Sequence, residues 1–148
     1  MALLYIPFAL QAIAMMFDEF YFHYRRELKL WERLGHPLDT FTVFLCYLFL
    51  FTQPYSETNL FRFIGLATFS CLFITKDEWV HKELSTAQEN WLHSVLFVLH
   101  PICFMAAGYV WKLQLVENFI LIQMIAVFLF MTYQILYWSI PWKKRLIQ

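Results

Sequence analysis

The sequence predicts an all-α protein: an integral membrane bundle of five transmembrane helices, with the N-terminus outside and the C-terminus in the cytoplasm, built as a single domain over residues 1–148. Three observations predict it. Hydrophobic residues make up 61% and DEKR only 15%, whereas a soluble domain carries about 25% charged residues. The charges fall in clusters, which leaves residues 1–17, 40–56, 63–75, 90–111 and 118–142 without Asp, Glu, Lys or Arg. With five spans, nine of the basic residues in the intervening segments then gather on one side, as the positive-inside rule requires.

Each run is an expected helix. A span needs roughly 17–25 mostly apolar residues. Four runs reach that length directly; 63–75 reaches it with Thr58 to Phe61, because Arg62 can snorkel to the interface. Residues 1–17 do not read as a secretory signal, which needs a positive start and a small-residue cleavage site; Asp18, Glu19 and Phe20 follow this run instead. Helix 1 is expected to run through Leu34, with Gly35 ending it and Pro37 preventing its continuation. Asp39 is the expected N-cap of helix 2. Helix 3 is expected to continue past Trp79 to about Leu84. Thr86 with Glu89 fits a capping box for helix 4, and Pro141 limits helix 5. The competing reading, a greasy soluble bundle, would have to bury all of 118–142 in a small domain.

Five spans put Arg25, Arg26, Lys29, Arg33, Lys76, Lys82, Lys143, Lys144 and Arg145 on one side, and leave Arg62 and Lys112 on the other. Four or six spans would split these clusters. The net charge of +0 gives no reason to expect nucleic acid. Cys46, Cys71 and Cys103 sit one each in helices 2, 3 and 4, without CxxC spacing, and read as packed side chains. The six tryptophans, Trp31, Trp79, Trp91, Trp111, Trp138 and Trp142, fit interfacial belts.

The chemistry lies in the histidines and acids. All five histidines, His23, His36, His81, His93 and His100, fall at the cytoplasmic side or in the adjoining leaflet of this arrangement. Four follow an acid at helical spacing: Glu19/His23, Glu32/His36, Glu78/His81 and Glu89/His93. Residues three or four apart share a helix face, so each pair can grip one ion, and Glu-x-x-His at i, i+3 is the spacing of di-iron carboxylate bundles. His100 lies two turns beyond His93, about 10 Å deeper. Each pair alone also reads as an ordinary surface ion pair; the collection at one depth reads as a metal site. The expected ligands are Glu19, His23, His36, Glu78, His81, His93 and His100. Asp18, Glu32, Asp77 and Glu89 are expected as alternate ligands or as groups that orient imidazoles. Arg25, Arg26 and Arg33, with Lys29, either touch anionic lipid or clamp a lipid headgroup beside the metal. No HExxH, GxSxG, P-loop or GxGxxG occurs, so no catalytic nucleophile can be named.

The strings Asp18-Glu19-Phe20-Tyr21-Phe22-His23, Gly35-His36-Pro37-Leu38-Asp39, Lys76-Asp77-Glu78-Trp79-Val80-His81 and Trp91-Leu92-His93 through His100-Pro101 resemble those of a family of small bacterial integral membrane proteins. The resemblance covers about residues 17–101. It implies a multi-pass protein of the bacterial inner membrane and brings no activity with it. The ligand set is also loosely similar to that of membrane di-iron hydroxylases and desaturases. With five histidines and no HxxHH, the set here is a mixed imidazole and carboxylate one.

These residues lead to a membrane metalloenzyme holding one or two non-haem iron ions. It would oxidise a lipid or other apolar substrate that enters sideways, with an electron donor as partner. Zinc on the same ligands, activating water for lipid hydrolysis, is the second expectation. The third is a metal or proton carrier, or a packing subunit of a membrane complex.

Overall fold

The computed structural model describes residues 2–25, 28–76, 79, 85–114 and 117–139. A short 3-10 turn, Ala2–Leu4, leads into α1 (Ile6–Phe17), which runs directly into a π turn, Asp18–His23. Then come α2 (Leu30–Thr52), α3 (Glu57–Phe73), α4 (Ala87–Leu113) and α5 (Glu117–Ser139). No strand occurs among the described residues. Among the described residues, three helices are long and apolar enough to cross a membrane: Leu30–Thr52, Ala87–Leu113 and Asn118–Trp138.

The helix starts have local causes. Pro7 sits in the first turn of α1, where its missing N–H costs nothing. The Ser56 hydroxyl accepts from the Asn59 N–H to cap α3. The Thr86 hydroxyl accepts from the Glu89 N–H to cap α4, as the sequence predicts. Gln114 ends α4 in the left-handed region, at φ 49°.

The break between the first two helices differs from expectation. α1 does not reach Leu34, and Gly35 and Pro37 lie inside α2. The helix begins seven residues before Pro37, at a cap formed by Lys29, whose backbone N–H donates to the Glu32 carboxylate at 2.9 Å. A proline there removes a backbone bond to Arg33, at a cost of roughly 3 kcal/mol in an ordinary helix; packing of α2 on its neighbours outweighs it. Asp39 is therefore not an N-cap; its carboxylate pairs with Lys76 from beyond α3. α3 also ends earlier than expected, at Phe73.

The helices follow one another round a ring. α1 packs on α4, α4 on α3, α3 on α2, and α2 on α5 through the largest interface. One half of the ring's interior is solid. The Phe63 ring lies 6.1 Å from that of Phe104 and 6.1 Å from that of Trp111, and Phe8 lies edge-on to Phe119 at 4.9 Å. Each aromatic pair adds about 0.5–1.5 kcal/mol beyond burial. Trp111 and Trp138 are buried here instead of lying in an interfacial belt, because each indole N–H has a partner: the Gln53 carbonyl and the Glu19 carboxylate. The three cysteines are free, with Cys46 and Cys103 buried.

Candidate metal centre

The other half of the bundle collects the polar groups. The π turn is the local device that positions them. Its hydrogen bonds join residues five apart, so Asp18 stacks beside His23. In an α-helix five residues amount to about 500°, which would turn Asp18 well away from that ring. Glu19 is on the same side, and both acids face His23. From α4, Glu89 and His93 arrive one helical turn apart, on one face.

Asp18, His23, Glu89 and His93 form a group in which one ligand atom from each lies within 4.8 Å of all the others, and all four residues are buried. Asp18 Oδ1 is 3.2 Å from His93 Nε2. His23 Nε2 is 3.5 Å from Asp18 Oδ2 and 3.7 Å from Glu89 Oε1. Ligand atoms held at 2.0–2.1 Å round a tetrahedral ion are separated by about 3.4 Å; the approaches above, which draw on both Asp18 oxygens, lie near that value, and the group could hold one ion.

The opposite nitrogen of His23 is also held. Its Nδ1 faces Glu19 Oε2 at 3.7 Å. Glu19 accepts from the Trp138 indole N–H, and the Gln134 amide N–H approaches Glu19 Oε2 at 3.5 Å. Gln134 Oε1 in turn accepts from the Thr40 hydroxyl at 2.7 Å. A carboxylate behind a ligating imidazole fixes the ring and its tautomer. Burial alone would push the pKa of Asp18 and of Glu19, which follow the apolar run, upward. The His93 hydrogen bond and the charge of the neighbouring rings hold Asp18 below the usual carboxylate range, and His23 with Trp138 does the same for Glu19.

Electrostatics points the same way. Asp18, Glu19 and Glu89 are three carboxylates inside the protein, and burying like charges together is costly. The His23 ring lies 4.6 Å from that of His36 and 6.4 Å from that of His93 between centroids. A divalent cation between the carboxylates would offset most of their charge.

The four-residue group is drawn from the acids and histidines expected from the sequence, with a different division of roles. Asp18 and Glu89, expected as alternates, belong to the four-atom group. Glu19, expected as a ligand, stands behind His23 instead. His36 lies beside His23 but outside that group. Glu32 caps α2. His100 is apart from the cluster: its Nε2 meets the Ser70 hydroxyl at 3.1 Å and its Nδ1 the Gln11 amide at 3.2 Å, and Ser70 meets Thr42 at 2.8 Å. His100 thus ties α1, α3, α4 and α2 together. Arg25 lies over the Tyr21 ring, and Arg33 donates to the Leu28 carbonyl. Asp77, Glu78, His81 and Arg26 lie outside the described residues. Thr40, Gln134 and Trp138 were not legible as site residues, because a tryptophan near a helix end has the same pattern as an interfacial one.

Below the cluster is a cavity of about 260 Å³. Asp18, Glu19, His23, His36 and His93 line one end of it, and Phe8, Val43, Tyr47, Phe97 and Val127 line the remainder, with the amides of Gln11 and Gln123. From Asp18 to Phe8 is ten residues, about 15 Å along α1. No protein-family model, curated protein or solved structure matches this chain.

Proposed function

We propose that this protein is a membrane-embedded, metal-dependent oxidoreductase that uses non-haem iron to hydroxylate an apolar chain beside the cytoplasmic face of a bacterial inner membrane. The arrangement of His23 carries the reading: one ring nitrogen faces Asp18 and Glu89, and the other faces a carboxylate that Trp138 and Gln134 hold in place. Two imidazoles with hard carboxylate oxygens suit ferrous iron, and sites of this kind keep positions open for dioxygen and substrate. Iron, when bound, would supply the oxygen activation. The overall step is R–H plus dioxygen, two protons and two electrons giving R–OH and water, with the electrons from a separate reductant. Asp18, His23, Glu89 and His93 hold the ion, Glu19 orients His23, and the apolar cavity excludes water and takes the substrate chain.

All five helices cross the membrane in this reading. Residues 1–17 start outside, and the basic segments 25–33 and 143–145 lie in the cytoplasm. The test is protein purified in mild detergent, analysed for metal and assayed for chain-dependent oxygen uptake with a chemical reductant. Iron near one ion per chain, with uptake that Glu89→Gln abolishes, supports the proposal. Zinc alone, with iron offered, moves the same ligands to hydrolysis; no bound metal overturns both.

A further inference from the structure

The ring of helices closes loosely at one seam. α1 and α5 run parallel and meet at two levels. Near the cluster, Phe20 lies 5.5 Å from Tyr133 and Glu19 bonds Trp138. Some 18 Å further along α1, Tyr5 and Phe8 lie edge-on to Phe119, at 5.0 and 4.9 Å. Between these levels Ala12 on α1 and Ala126 on α5 line the cavity and are themselves exposed, so the seam offers a window into the cavity, framed by aromatic pairs and small side chains.

We infer that this window is a lateral portal, through which the acyl chain of a single-chain lipid passes from the bilayer into the cavity beneath the cation site. The inference rests on the proposed function for the reaction at the cavity's end and deepens it by naming the substrate class and its route. Three observations favour an acyl chain over a water-soluble compound. The window lies between helices whose outer faces are apolar, with Ile13, Ile122 and Leu129 exposed, so hydrocarbon is what meets it in a membrane. Beyond the window, Val43, Leu96, Phe97 and Val127 give the cavity a mostly apolar wall, interrupted by the amides of Gln11 and Gln123. At the cavity's polar end a bound cation, with exposed Arg25 and Lys29 close by in the chain, complements an anionic carboxyl head. The packed Phe8–Phe119 floor then stops the chain. His100 does not compete for it, since Ser70 and Gln11 occupy its two ring nitrogens.

The experiment uses the full chain in liposomes with palmitic acid carrying a mid-chain diazirine. Photolysis followed by peptide mapping locates the label, and metal content is measured on the same samples. Labelling is expected at cavity residues of α1, α4 and α5. Ala12→Trp or Ala126→Trp, which fills the window, is expected to lower it by about tenfold, with metal content unchanged. Val98→Trp on the lipid face of α4 is expected to leave labelling as in the wild type. Label confined to outward residues such as Leu129, or cavity label that Ala126→Trp does not reduce, overturns the portal. Loss of metal from every sample with cavity labelling intact would instead remove the oxidase reading and leave the portal standing.

Discussion

His23 is buried at 1% exposure with acids at both ring nitrogens, and its neighbours do different work. Asp18, Glu89 and His93 contribute ligand atoms, so Glu89→Gln or His93→Ala should remove the ion. Glu19 acts through the ring of His23. Glu19→Gln should therefore retain the ion and weaken it by roughly 10–100-fold, read by titration with ferrous iron or cobalt. Trp138→Phe removes one of the Glu19 donors and should produce a smaller loss in the same titration. Equal effects of Glu19→Gln and Glu89→Gln would contradict this division. The acid–histidine pairing was legible in the sequence because Glu89 and His93 obey helical spacing. The exchange of roles between Asp18 and Glu19 was not, because no residue pattern announces a π turn.

At the scale of elements, the π turn and the glycines make the sharpest predictions. Deleting Tyr21 would return the turn to α-helical spacing and leave Asp18 four residues before the histidine, still on its face. Metal binding should survive with helix content by circular dichroism unchanged; lost metal would show that the π turn itself is needed to hold the site. Gly108 on α4 sits against Phe63, whose ring would lie 3.1 Å from an added Cβ. That ring is fixed between Phe104 and Trp111, so Gly108→Leu should destabilise by about 1–3 kcal/mol. Gly65 on α3 has nothing within 4 Å of an added Cβ, so Gly65→Ala should stabilise by about 0.5–1 kcal/mol through helix propensity. Thermal unfolding in detergent checks both signs. Helix positions were mostly readable from charge-free runs, and the Thr86 cap was readable from its own chemistry. Gly35 and Pro37 misled because terminator residues are local indications, and the Lys29–Glu32 cap together with the α2 packing overrides them.

For the whole molecule, the arrangement of the helices brings the ends of distant segments to one level. Asp18 meets His93, Glu19 meets Trp138, and Lys76 meets Asp39. At the opposite end, Lys112 lies over Tyr55. The proposed five-span orientation puts the first of these levels in the cytoplasm. Ser56→Cys and Gln114→Cys should then react with a membrane-impermeant maleimide in intact cells, and Ser85→Cys only after permeabilisation. The reverse pattern would invert the orientation. The sequence located the polar end through its basic clusters but could not show the cavity or the α1–α5 seam, since lipid-facing and inward-facing positions are equally apolar there.

The central claim is that acids and imidazoles from α1, its π turn and α4 hold one cation. Elemental analysis of detergent-purified protein, wild type against His93→Ala, tests it most directly. The account predicts about one transition-metal ion per wild-type chain and almost none in a folded variant. Metal-free wild type, or equal metal in the two proteins, would contradict it.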